Sequence, residues 1–294
     1  MTGLSHNLQG AIYGLIAFGV WATHDVFIKM LGAHYSSVQV LFITFVFYMP
    51  LVIGMIVMDR TKGSLWPVYP GWMVTRSIAT IVQGLGTFIA FAHLPLAHCY
   101  AILFAMPVFI TLLAMPMLRE SVGIHRWLAI IAGLIGILVV LRPGYAELSI
   151  GHGAALISAL AGSLNSVITR KVGHAERMVV QVLYPSLAVL IATGMMVPFF
   201  FTPPSLGHIG LNGLIGVMSF VALLAILMAY RLGEAAVVAP MQYSQMLWAL
   251  LYGYVIFSET LDLVTGLGAS IVMASGLYIL WRERQAGKAA LAEA

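Results

Sequence analysis

Charged side chains make up only 8% of the 294 residues, against about a quarter in an ordinary soluble domain. So few polar groups cannot coat a water-facing surface, which excludes a soluble globular protein. Cysteine is nearly absent. Cys99 stands alone, excluding an internal disulfide and any metal site built on several cysteines. The 14 Lys and Arg give a net charge of +4, but they are scattered and lack the clustered basic face that nucleic acid requires. No cleaved leader is expected either: Met1 to Gln9 contains no Lys or Arg, and the apolar stretch that follows carries His24, Asp25 and Lys29.

Apolar sequence is abundant. Hydrophobic residues reach 61%, and runs of about 20 residues, the length that crosses a bilayer, recur from end to end. Ten spans are expected at residues 9–31, 38–58, 71–92, 96–118, 125–142, 151–171, 178–201, 208–230, 235–257 and 264–282. Turn residues separate them: Asp59, Arg60, Lys62, Gly63 and Pro67 after the second, Arg142, Pro143 and Gly144 after the fifth, Pro203 and Pro204 after the seventh. An even count puts both termini on one side, and all basic residues except Lys29 and Arg142 then fall on that side. Positive residues resist translocation, so the termini are expected in the cytoplasm.

The two halves repeat weakly. Gly10, Ala11 and Gly19 recur as Gly153, Ala154 and Gly162, about 140 residues later, each set opening an apolar span. Leu94-Pro95-Leu96-Ala97 corresponds to Leu232-Gly233-Glu234-Ala235, and Glu120-Ser121-Val122 to Glu259-Thr260-Leu261. The expected fold is all-α: a polytopic membrane protein with ten transmembrane helices in two inverted five-helix repeats, residues 1–148 and 149–294. Five spans per half force the second half to enter the membrane upside down, an architecture that permits alternating access.

On these residues the sequence resembles the drug/metabolite transporter superfamily, and more narrowly its ten-helix EamA-type exporters, over about residues 8 to 284. Within that group it is most similar to the bacterial aromatic amino-acid exporters. The resemblance implies a bacterial inner-membrane protein with a central cavity lined by spans 1, 3, 4, 6, 8 and 9, and with spans 5 and 10 peripheral.

Polar groups at mid-span are costly in hydrocarbon unless they face a cavity or a partner, which makes them the candidates for a substrate path. Arg76, Thr80, Gln83 and Thr87 share one face of span 3; Gln83 is a substrate candidate, while Arg76 can also snorkel. In span 9, Gln242 and Gln245 lie close enough to bind a solute together, with Trp248 on an adjoining face; buried amides also glue helices to one another. Asn165 of span 6 is open to the same two readings. Tyr100 and Phe104, one turn apart in span 4, form a platform for a ring. Pro107 and Pro240 remove backbone donors in spans 4 and 9 and act as kinks or gates.

Span 1 contributes Trp21 and His24 to the candidate binding set. Asp25 and Lys29 are spaced for an ion pair, and the sharper alternative makes His24 or Asp25 a proton relay. Glu120 and Glu259 are read as structural caps. The nine His show no ligand spacing, and His93 and His98 read as surface residues.

These residues predict a secondary transporter exporting small amphipathic metabolites, with aromatic and other neutral amino acids first and cationic drugs the alternative. Its partners are the small-molecule substrate and the lipid bilayer, with no nucleic acid, and its state is monomer or homodimer. No catalytic set, metal or cofactor is expected. A membrane-embedded enzyme would need a nucleophile with a base, an acid pair or a metal set at mid-membrane, and a receptor would need extramembrane surface.

Overall fold

The computed structural model describes residues 6–59, 63–119, 123–142, 148–172 and 175–292. Every regular element among them is helical: α1 (His6–Gly32), α2 (Ser37–Met58), α3 (Pro70–His93), α4 (Leu96–Leu103), α5 (Met106–Leu118), α6 (Ile124–Leu141), α7 (Ile150–Val172), α8 (Met178–Met196), α9 (Leu206–Leu232), α10 (Ala235–Val238), α11 (Ser244–Phe257) and α12 (Leu263–Ala292). Local chemistry sets several boundaries. Ser36 and Ser205 cap α2 and α9 by accepting from the amides of Gln39 and His208. Pro70 opens α3, where a missing N–H costs nothing. Arg119, Arg142 and Ser258 take left-handed conformations where α5, α6 and α11 stop.

Two expected spans are broken. The fourth divides at Phe104 and Ala105 into α4 and α5, with Pro107 in the first turn of α5. The ninth runs from the single turn of α10 through a 3-10 segment, Ala239–Tyr243, that contains Pro240, into α11. Proline supplies no N–H to the ladder, and a 3-10 turn winds three residues per turn. Gln242 and Gln245 therefore do not share one continuous α-helical face, contrary to the periodicity of span 9.

Contacts between neighbours assign the helix termini to two ends of a bundle. At one end, the basic end, Asn7 meets Glu234, Arg177 pairs with Asp59, the amide of Tyr69 donates to Glu176, and Lys171 donates to the carbonyl of Met117. At the far end Lys29 pairs with Glu259, Tyr35 meets His208, Gln39 bonds the backbone of Thr202, and Arg142 pairs with Asp262. The rods thus alternate in direction. The halves interleave: α1 lies along α9, α3 along α7, and α6 along α12. Small residues allow the closest approach. A Cβ on Gly136 would stand 2.9 Å from the carbonyl oxygen of Gly268, and one on Gly268 2.8 Å from that of Gly136, so α6 and α12 touch backbone to backbone.

The outer surface is apolar. Val57, Leu247, Val255 and Leu267 are each more than 60% exposed, an arrangement stable only against lipid. Among the described residues, seven helical rods are long and apolar enough to cross a membrane. The apolar part of α6 is shorter, α11 has 14 residues, and α7 carries His152, Ser158, Ser163, Asn165 and Ser166.

Candidate functional site

The centre of the bundle holds a cavity of about 340 Å³. Trp21 and His24 of α1, Thr80, Gln83 and Thr87 of α3, Phe45 and Tyr48 of α2, and Ser219 of α9 line it, with Val189 of α8 closing one side. The resemblance placed spans 4, 6 and 9 on this wall; in the structure α2 and α8, which are spans 2 and 7, take their place. Asn165 of α7 stands behind α3, where its amide donates to Gln83 Oε1 at 3.4 Å. Ser158 of α7 donates to the Gln83 carbonyl at 3.0 Å, and its hydroxyl lies 2.6 Å from that of Thr87. These bonds fix the polar face of α3 against α7.

Two charged groups flank the cavity. Toward the far end, Asp25 is 7% exposed, its Oδ1 2.8 Å from His24 Nδ1 and its Oδ2 accepting the Tyr100 hydroxyl. α1 and α4 are thus tied through one carboxylate. Toward the basic end, Arg76 donates through Nε to Asn165 Oδ1 at 2.7 Å and through a terminal nitrogen to Gln181 Oε1 at 3.1 Å. Neutral amides hold this guanidinium; no carboxylate pairs with it among the described residues. Burying an ion is costly unless hydrogen bonds or a counter-ion compensate it, and each of these groups has two such partners.

The expected Asp25–Lys29 pair does not form. Lys29 instead reaches Glu259 at 2.6 Å, the Leu94 carbonyl at 2.5 Å and the face of the Phe257 ring at 5.2 Å. Asp25 points at α4, and Lys29, one turn later, arrives at the corner where α3, α4 and α11 meet. Glu259 also accepts from the first amide of α4, Leu96, at 3.0 Å, so it caps a helix distant in sequence rather than the next one. Glu120 lies outside the described residues. His98 is not a surface residue: it sits 2.9 Å from Thr265 Oγ1 and 3.4 Å from Asp262, beside Arg142, and joins α4 to the start of α12.

The remaining sequence candidates occupy different surroundings. Tyr100 and Phe104 are 2% and 4% exposed and lie in the packed core, Phe104 with its ring 5.1 Å from that of Tyr243. Trp248 stacks on Tyr252 at 5.8 Å, and Tyr252 bonds Thr23 at 2.8 Å. Gln242 lies half-buried in the 3-10 turn. Sequence reasoning missed Thr44, Phe45, Tyr48 and Ser219. A signal for them was present: Pro50 and Pro185 interrupt α2 and α8, and proline in an apolar span frees a carbonyl that needs a polar neighbour.

A cavity with a few polar side chains inside a lipid-facing helical bundle suits the passage of a small solute, and the comparisons with known proteins point the same way. Residues 8–142 match the EamA-like transporter family. The chain is 24% identical over 282 residues to the S-adenosylmethionine uptake transporter of Rickettsia prowazekii, covering 96% of each. It is 29% identical over 219 residues to the riboflavin transporter of Rhizobium johnstonii, covering 73% of this chain and 72% of that one. A crystal structure with 16% identity superposes with a TM-score of 0.66 over 95% of this chain and 99% of that one, a likeness of fold. The family match spans residues 8–142 and makes this chain similar to that family over its first five expected spans. It is an all-α, multi-pass membrane protein.

Proposed function

We propose that this protein is a ten-span transporter of the bacterial inner membrane, with both termini cytoplasmic, that exports ring-bearing zwitterions, the aromatic amino acids foremost, by alternating access. The cavity carries this reading: rings from Trp21, Phe45, Tyr48 and Phe88 stand beside the Gln83 amide and the Thr80 and Thr87 hydroxyls. Such a wall stacks an aromatic side chain and hydrogen-bonds a carboxylate, and the His24–Asp25 pair offers acceptors to an ammonium group. Size favours the same class. About 340 Å³ is at the small end of the ~300–1,000 Å³ range of metabolite sites.

Two further observations support the inverted repeat and the gating. Exchanging the first five spans for the last five converts the α1–α9 interface into the α7–α3 interface, and both are extensive. One pair breaks the correspondence. At the far end α1 meets α3, with Gly32 packed on Ala92, whereas the equivalent α7 and α9 scarcely meet among the described residues. A repeat protein closed at one end and parted at the other has the geometry of one state of an alternating cycle. With the basic end cytoplasmic, the state is open inward.

A second reading rests on Asp25. Because Lys29 pairs elsewhere, Asp25 is a buried carboxylate beside a ring-lined cavity, which suits an organic cation; one relative is named for S-adenosylmethionine, which carries a sulfonium. Counterflow in sealed proteoliposomes separates the two. Internal tryptophan is expected to drive accumulation of labelled tryptophan. Accumulation of S-adenosylmethionine without tryptophan favours the cation, and flux of neither, nor of riboflavin, overturns the proposal.

A further inference from the structure

A second and larger chamber, about 790 Å³, opens between α2, α8 and α9 at the basic end. Its wall is almost wholly apolar, built by Pro50, Gly54, Met55, Met178, Phe220 and Leu224, with the Asp59–Arg177 ion pair at the rim. It adjoins the central cavity. Phe220 lines the chamber and Tyr48 lines the cavity, and their rings meet edge to face with centroids 5.9 Å apart. Around this pair the two spaces share their helices: Ser219 and Leu223 of α9 face the cavity, and Phe220 and Leu224 face the chamber. Tyr48 is itself nearly buried, at 9% exposed. Pro50, two residues after Tyr48, removes one amide from the α2 ladder, so the segment that carries the tyrosine is freer to bend than an unbroken helix.

We propose that this chamber is the vestibule in which the apolar ring of the transported solute waits on its way to or from the central site, and that Tyr48 and Phe220 form the partition that sets the size of ring admitted. The inference rests on the transport of ring-bearing solutes proposed above and adds a second site and two specificity-determining residues. The Tyr48–Phe220 ring contact, which borders both spaces, points to the solute rather than a lipid chain as the occupant. An aromatic pair also suits a partition through which rings pass, since each ring can trade its edge-to-face contact for one with the solute.

Gly54 gives a clean test. A Cβ at this position meets nothing within 4 Å, so a large side chain there grows into the chamber without disturbing the helix. Gly207 of α9, at the far end, has the same freedom and serves as the matched control. In proteoliposomes, Gly54→Trp is expected to slow tryptophan counterflow about tenfold while Gly207→Trp stays within about twofold, and Phe220→Ala is expected to raise the riboflavin-to-tryptophan rate ratio about fivefold, within the range that pocket shape alone can discriminate. Wild-type rates in Gly54→Trp overturn the vestibule and leave the transport reading intact. A Gly54→Trp defect that disappears when the acyl chains of the vesicle are shortened assigns the chamber to lipid and likewise overturns it. A wild-type protein that moves neither solute overturns the transport reading itself, and with it this inference.

Discussion

The two ends of the bundle are tied by different contacts, although the same kinds of residue stand at both. At the far end Lys29 joins α1 to the α3–α4 corner through the Leu94 carbonyl and to α11 through Glu259. At the basic end Lys171, close to the position that corresponds to Lys29 in the proposed repeat, turns to the Met117 carbonyl at 2.9 Å and the Trp72 ring at 4.4 Å. It does not reach the α9–α10 corner. Related sequences in the two halves have thus settled into different contacts, as expected of a protein whose two ends take turns to close. The lesson is energetic. A partly buried ion pair that also satisfies two backbone groups is worth a few kcal/mol when one partner is removed, enough to bias a two-state equilibrium by tenfold or more.

The largest effect should come from the carboxylate below the closed end. Asp25→Ala leaves the Tyr100 hydroxyl and His24 without their shared acceptor. We expect a loss of at least about 100-fold in counterflow, from unpaired buried groups and a missing charge, with a monodisperse protein by gel filtration in detergent. Retained transport would remove Asp25 from the site.

Next comes the latch. Glu259→Gln keeps an acceptor for Leu96 but abolishes the ion pair with Lys29, so the far end should part more often. The lone native thiol, Cys99, is fully buried, which makes an introduced cysteine the accessible one. In an Ala92→Cys background, labelling by a membrane-impermeant maleimide from the far side should rise by about tenfold on adding Glu259→Gln. Unchanged labelling would show that the asymmetry between the ends does not depend on this pair.

A smaller change is expected from Gln245→Leu, which removes the half-buried α11 amide proposed to hydrogen-bond the solute. Counterflow should fall about fivefold while membrane insertion is unaffected, because one neutral hydrogen bond contributes roughly 1 kcal/mol. Normal kinetics would confine the role of α11 to packing. The least effect should follow Arg177→Gln at the basic end. There the guanidinium pairs with Asp59 and with the loop carbonyls of Gly63 and Ser64, and it is about a quarter exposed. Thermal stability should drop by about 1 kcal/mol, and transport should change by less than about twofold. A large transport defect would place a gate at the basic end as well.

Helix positions were legible in the sequence because apolar length and turn residues are local properties. Ser36 and Ser205 start helices by bonding their own neighbours, and most of the expected span limits fall within a few residues of the observed ones. The polar face of α3 was legible for the same reason, since its members sit within one helix. What was misjudged depended on chain segments far apart in sequence. Lys29 was assigned to the nearest acid, but its partner is more than two hundred residues away. Tyr100 and Phe104 looked like a free platform, yet Phe91 and Tyr243 pack against them. Thr44 and Tyr48 drew no attention in a span that reads as plain hydrocarbon, and only the placing of α9 beside α2 puts them on a cavity.

Composition by itself determined that this chain lives in lipid, because no arrangement of so few charged residues can present a polar surface to water. Periodicity and punctuation determined where most of its apolar rods begin and end, since those limits depend on hydrogen bonds within a few residues. Which end is closed, which lysine finds a carboxylate, and which helices wall the cavity were decided only by the tertiary structure: buried ions and amides take the partner that packing brings within about 3 Å, and sequence distance has no bearing on that choice.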